Sequence, residues 1–373
     1  MQKTLIALAL LAATAGTANA QSTVTVYGKV DLGLVLDSGA AAGKSVRISS
    51  GVTGGSRLGF KGVEDLGGGY KAGFTLETGF CADSAAPVNS TLTVKSGTGA
   101  TVGTTTQSVP NFCTGSNAFM GRQAHGDLSG SFGTLIAGRQ FSLGYANLLV
   151  IDPFGVGYAG QIDNIVDPSG TRLNNSVRYT TPTIAGFSAS GEIQLGETTG
   201  NWQANRETGG AITYASGPAY ASFMFYDLDN ANGNGAARKN YQLGGTYDFG
   251  VVKVHALVQK STGSPTGAAK PLDVLDLMGG VTVPFAGGNV LASYIHHNDR
   301  TSGTAFSTGD EDASQWGIGY NYPLSKRTAI YTAYARINND NNQSGKNAGF
   351  TVGNSTETGT GNKSFNLGVV HNF

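Results

Sequence analysis

The charged residues of this chain form two groups of opposite sign at spacings that could shape an electric field. Arg57 shares an alternating face with Lys61 and opposes Leu58 and Phe60. Arg178 opposes Val177 and Tyr179, and Lys29 shares its face with Asp31 opposite Val30 and Leu32. Successive side chains of a strand point to opposite faces, so these cations share the polar face. The acidic group, Asp152, Asp163 and Asp167, lies in the stretch 141–173 together with the apolar run Leu148 to Ile151. A long loop in a compact fold is usually functional or disordered. This one carries apolar residues poorly suited to open water, so it is expected to fold inward against a wall. An external loop lying over the mouth is the alternative. Basic side chains facing three aspartates across a narrow aqueous gap would set a transverse field, and such patches tune which ions pass. Arg139 shares parity with Leu135 and Ala137 and is expected at the rim.

Bond-making chemistry finds no support. There is no Gly-x-Ser-x-Gly elbow and no phosphate-cradling Gly-x-x-x-x-Gly-Lys. Asp227-Leu-Asp-Asn-Ala231 places an alanine at a calcium-ligand position. His296 and His297 are adjacent on a strand-like segment and so point apart. The glycines are spread through strands and turns with no cradle visible. No enzyme activity, metal site or cofactor is expected. Cys81 and Cys113 flank a Ser/Thr/Gly-rich stretch; in an exported chain a disulfide between them is expected, with two unpaired loop thiols as the alternative. Lysine plus arginine equals aspartate plus glutamate at 24 each, so no basic excess points to a nucleic acid.

The elements that must position these charges are strands. Residues 364–373 alternate Phe365, Leu367, Val369, His371 and Phe373 with small or polar residues, and the chain stops on the aromatic. A closing strand of a barrel in lipid gains from that ending, although a buried edge strand of a soluble sandwich has the same pattern. Residues 1–20 read as a secretory signal peptide: Lys3, the apolar run Leu5 to Ala13, and Ala18-Asn-Ala20 before the cut. Charged residues at 13% are about half the usual share, and 57 glycines about twice it, which suits a barrel with an uncharged outer face. Alternating segments occur at 23–37, 45–64, 70–80, 116–128, 132–140, 174–182, 186–196, 208–216, 219–229, 239–249, 251–262, 271–285, 289–299, 313–324, 327–339 and 362–373. Tight Gly-rich turns alternate with longer polar loops between them. Residues 21–373 are therefore expected to form one all-β domain, a sixteen-stranded antiparallel transmembrane β-barrel with short periplasmic turns and long external loops.

Ser56-Arg-Leu-Gly-Phe-Lys-Gly-Val-Glu-Asp-Leu-Gly-Gly-Gly69, Gly121-Arg-Gln-Ala124, Phe132-Gly-Thr-Leu-Ile-Ala-Gly-Arg-Gln140 and Asn175-Ser-Val-Arg-Tyr179 resemble the general porins of Gram-negative bacteria, the beta-proteobacterial type in particular. The resemblance covers the whole mature chain. It implies a homotrimer whose third external loop folds inside as a constriction, with Arg122 facing the lumen and Phe373 serving as the outer-membrane assembly signal. Asp152-Pro-Phe-Gly155 is similar to the family's Pro-Glu-Phe-Gly bend, with the acidic residue moved before the proline. The implied location is the bacterial outer membrane, among lipid and lipopolysaccharide and delivered by the barrel assembly machinery. The implied function is passive diffusion of small hydrophilic solutes and ions. Local placement of Arg57, Arg122 and Arg178 at the constriction, with Lys29 on the same basic wall, adds an expected mild anion preference that the loop aspartates oppose. The rival reading is a barrel that acts mainly as an adhesin through its external loops.

Overall fold

The computed structural model describes residues 23–40, 43–83, 88–95, 101–109, 119–168, 170–228, 237–264, 272–301, 312–340 and 349–373. The segments 88–95 and 101–109 are described by their backbone. The segment 1–20, expected to be a signal peptide, and Cys113 lie outside these residues. Among the described residues no helix is long and apolar enough to cross a membrane.

The wall is a closed antiparallel sheet. It begins with β1 (Thr23–Ala40), β2 (Gly43–Ser50), β3 (Arg57–Gly67) and β4 (Tyr70–Gly79). A separate two-stranded ladder, β5 (Val88–Lys95) and β6 (Thr101–Val109), follows before the wall resumes with β7 (Gln123–Gly130), β8 (Gly133–Phe141), β9 (Arg172–Thr180) and β10 (Phe187–Gln194). Next come β11 (Glu207–Ser216), β12 (Ala219–Leu228), β13 (Ala237–Asp248), β14 (Lys253–Ser264) and β15 (Leu272–Phe285). The circle ends with β16 (Gly288–Asp299), β17 (Ala313–Pro323), β18 (Thr328–Asn339) and β19 (Lys363–Asn372). The far half of β1 pairs with β2 and its near half with β3, so those two are one wall strand and the wall has sixteen. The expected unbroken strand over 45–64 is thus interrupted at 51–56. The strand expected from 116 starts at Gln123.

Alternation decides which face meets lipid. Val24, Val26, Ile212, Leu243, Ile318 and Leu367 stand exposed on the outside, where hydrocarbon solvates them. Asp31, Asp37, Gln242, Gln259 and Gln315 are buried on the inside. Paired rings gather at the short-turn end: Tyr70 with Phe132, Phe187 with Tyr214, Tyr247 with Phe249, and Tyr320 with Tyr322. This is the aromatic girdle of the periplasmic interface. Gly67, Gly68 and Gly69 take successive φ values of 80°, 62° and 84°, which lets the β3–β4 turn close in so few residues.

Phe373 closes the circle. β19 pairs with β1 from Ser38↔Lys363 to Lys29↔Asn372, and the backbones of Gly28 and Phe373 exchange both hydrogen bonds at 3.0 Å. The Phe373 ring lies over Gly28, where an added Cβ would sit 2.2 Å from Cζ of the ring and 2.7 Å from the Arg57 carbonyl oxygen. The ring can swing away but the backbone oxygen cannot. Gly28→Ala is therefore expected to cost about 1–3 kcal/mol of overpacking at the seam. Loss of the compact, heat-sensitive gel form at a lower temperature than wild type would register it; an unchanged transition would show that the seam yields.

Candidate functional site: the loop-narrowed lumen

The stretch between β8 and β9 folds into the barrel. Ser142 caps its helix, α1 (Leu143–Ile151), by accepting the Tyr145 N–H at 3.1 Å. The helix stops at Asp152 because Pro153 disfavours helical backbone in the residue before it, and Asp152 is extended at φ −69°, ψ 124°. Leu148, Ile151, Phe154, Val156, Ile162, Ile165 and Val166 are buried in one cluster with Val35, Leu257, Met278, Leu291, Ile295 and Ile337 of the inner wall. The protein's apolar core is thus the contact between this loop and one side of its own lumen.

Wall glycines receive the loop. A Cβ on Gly244 would meet Ile151 Cδ1 at 2.6 Å, one on Gly280 would meet Pro153 Cγ at 2.5 Å, and one on Gly319 would meet the Phe154 ring at 3.0 Å. These glycines are notches for side chains, a cradle that spacing alone did not reveal.

Asp152 organises the bend. It is 3% exposed and accepts N–H bonds from Phe154 (3.1 Å), Val156 (2.9 Å) and Ile162 (3.1 Å). Val156 and Tyr158 are held at φ 52° and 59°, a region costly for side chains with a Cβ, and the carboxylate fixes that turn. Asp152 faces the loop's own backbone and also lines the space beneath the loop. Asp163 is exposed. Asp167 is also exposed but pairs with Arg238, and its carbonyl accepts from Asn240 and Gln259. Asp163 follows Ile162, whose N–H donates to Asp152, so these two lie close, whereas Asp167 is tied to Arg238 of the wall.

The interrupted wall strand supplies the dock. Tyr158 donates its N–H to the Val52 carbonyl at 2.7 Å, and its ring packs edge-on against Tyr331. Tyr331 donates to Asp31, which also accepts from Thr53 N–H and Oγ1. Lys29 Nζ donates to Thr53 Oγ1 at 3.1 Å. At the loop's base Arg178 binds Glu192 and the Phe141 carbonyl, while Glu192 accepts the Leu143 N–H. His255 Nδ1 lies 2.8 Å from the Ile151 carbonyl; that oxygen only accepts, so Nδ1 carries the proton.

Lys29, Arg57 and Arg122 gather beside Gly54 and Gly55 of the interrupted strand. Arg122 Nε binds Glu77 at 2.7 Å and Arg57 Nε lies 3.4 Å from the same carboxylate, so one anion serves two guanidiniums. Their side chains are 27% exposed for Arg57 and 10% for Arg122. Arg172 lies over the Phe141 ring at 4.7 Å, with its Nε buried and unpartnered. Lys29, Arg139 and Arg172 make no ion pair among the described residues. Arg139 sits at a bulge and donates to the Gly121 carbonyl and Asn174. Beneath the loop a space of about 620 Å³ is lined by Lys29, Arg57, Lys253, His255, Asn321 and Asn372. Glu77, Glu192, Arg172 and Lys253 are additions to the residues picked from sequence. Alternation against Leu76 and Ile193 places the two glutamates inward.

A family model described as Gram-negative porin matches residues 7–342. The chain belongs to the Gram-negative porin family. This porin is 32% identical to outer membrane porin protein 32 of Delftia acidovorans over the whole of both chains. It is 31% identical to an outer membrane porin protein of Bordetella pertussis, over 90% of this chain and 94% of that one. Among solved structures, an anion-selective porin from Comamonas acidovorans superposes with a TM-score of 0.72 at 28% identity, covering 94% of this chain and all of that one. The porin is a diffusion channel of the bacterial outer membrane, and its third loop folds into the lumen.

Proposed function

We propose that this porin admits small hydrophilic solutes with a preference for anions, set by Lys29, Arg57, Arg122, Arg172 and Arg178. The observation that carries the reading is the charge count: these five cations are paired directly with only two carboxylates, Glu77 and Glu192. One exposed aspartate of the loop, Asp163, has no ion pair among the described residues. A local excess of fixed positive charge raises the concentration of anions in the gap. The anion selectivity named for the Comamonas acidovorans porin supports the same sign. Purified protein in a planar bilayer under a salt gradient should give a zero-current potential of the anion-selective sign, shrinking as salt rises. A potential of the cation-selective sign would overturn it.

The same reading includes a homotrimer set in lipid and lipopolysaccharide, a leader cut after Ala20, and Phe373 as the signal read by the assembly machinery. A bridge from Cys81 to Cys113 would tie an external loop. Cys81 is half-buried just beyond β4, and among the described residues no cysteine is free. Thiol labelling of non-reduced protein tests the bridge, and two reactive thiols would remove it.

A further inference from the structure

The outer face of the barrel carries a groove that neither conduction nor loop docking uses. It occupies about 510 Å³ on the lipid side of β16 to β19. Its walls are Phe285, Val290, Ile318, Tyr334 and Phe365, and its floor is Thr332. The Thr332 hydroxyl donates to the Asn366 carbonyl, so the floor presents a methyl group. Tyr320 fixes the lower wall by reaching the carbonyls of Phe285 and Ala286 at 3.1 and 3.2 Å. A cleft between large apolar side chains on a lipid-facing wall takes hydrocarbon.

The groove lies near the periplasmic end of the wall. Tyr320 stacks on Tyr322, and the turn Leu324-Ser-Lys-Arg327 follows directly after Pro323. Lys326 and Arg327 are exposed there, and neither side chain has a hydrogen bond or ion pair among the described residues. Two cations stand at the interface, on the turn that joins two of the strands lining the cleft. We propose that the groove is a binding site for an anionic phospholipid of the inner leaflet, with an acyl chain along Thr332 and the phosphate at Lys326 and Arg327. Charge complementarity selects the headgroup, and the position of the turn selects the leaflet. Each basic residue near a membrane surface favours an anionic lipid by about fivefold.

Trp316 reports on the site, because its ring packs 5.3 Å from that of Tyr334. The chain has two tryptophans, so Trp202→Phe leaves Trp316 as the sole emitter. The native oligomer of this variant is placed in phosphatidylcholine vesicles containing either chain-brominated phosphatidylglycerol or chain-brominated phosphatidylcholine. At equal mole fraction the brominated phosphatidylglycerol should quench Trp316 more strongly. Adding Lys326→Gln and Arg327→Gln should abolish that difference while the barrel folds normally, since both positions lie on an exposed turn. Thr332→Phe, which fills the floor, should abolish it as well. Equal quenching by the two lipids would overturn the proposal, as would a difference that survives the double substitution. Quenching by neither lipid would also overturn it, because the face would then be covered by a neighbouring copy of the chain.

Discussion

The Asp152→Ala porin is expected to conduct with a larger and noisier single-channel current than wild type. The carboxylate is the shared acceptor for three buried N–H groups, from Phe154, Val156 and Ile162. Each donor stranded by its removal costs about 1–3 kcal/mol, and a methyl group accepts nothing. The strained turn at Val156 and Tyr158 then has no tether. Leu148, Ile151 and Ile162 still hold the loop against the wall, so it should loosen rather than leave. The barrel's ladders are untouched, and its thermal transition should move little. Burial pushes the Asp152 carboxyl up to about 7, against the pull of the three donors. A carboxyl raised in the folded state stabilises the docked loop fully below its ordinary range, and that contribution is lost as pH rises through about 7. Channel noise should therefore grow from pH 5 to pH 8 in wild type. Asp152→Asn, neutral throughout, should lose this pH dependence. Recordings of Asp152→Ala as quiet as wild type would show that the apolar contacts alone position the loop.

Period-two alternation made the wall legible, because lipid on one side and water on the other sort side chains by parity. The inward placement of Arg57 and Arg178 follows from that rule. Parity failed where the backbone breaks it. The gap at 51–56 was hidden inside an alternating run, although Gly51, Gly54 and Gly55 mark it. Arg172 was not legible because it falls at the end of the stretch 141–173, ahead of the alternating segment 174–182, whereas the strand starts at 172. The part Asp152 plays in the bend was not legible for a different reason. An aspartate before Pro-Phe-Gly can point at solvent or at its own turn, and only the fold of the loop decides. The apolar run at 148–151 did reveal that the loop is packed. What it packs against depends on glycines from three distant strands, a relation no local pattern contains.

Removing Lys29, Arg57 and Arg172 together, each as glutamine, is expected to shift this porin's selectivity strongly toward cations. These three make better probes than Arg178. The Glu192 side chain paired with Arg178 is fully buried, and stranding such a partner typically costs 3–5 kcal/mol, here at the base of the constriction loop. A change after Arg178 substitution would thus mix lost charge with a displaced loop. Arg57 can go more cleanly, because Glu77 keeps Arg122 at 2.7 Å and the Tyr27 hydroxyl at 3.1 Å. Lys29 loses one bond to Thr53, which Asp31 still holds. Arg172 leaves only the Phe141 ring among its described contacts. A unit charge about 8 Å from an ion in water is worth about 0.5 kcal/mol, and 0.1 M salt cuts this roughly in half. That alters the anion-to-cation ratio by roughly twofold per charge, so roughly tenfold for three. Arg122, Arg178 and Lys253 remain against Glu77, Glu192, Asp163 and Asp31, which makes the local balance slightly negative. The zero-current potential in a salt gradient should move to the cation-selective sign, most clearly at low salt. An unchanged potential would mean that these side chains lie off the ion path and that selectivity is set elsewhere along the lumen.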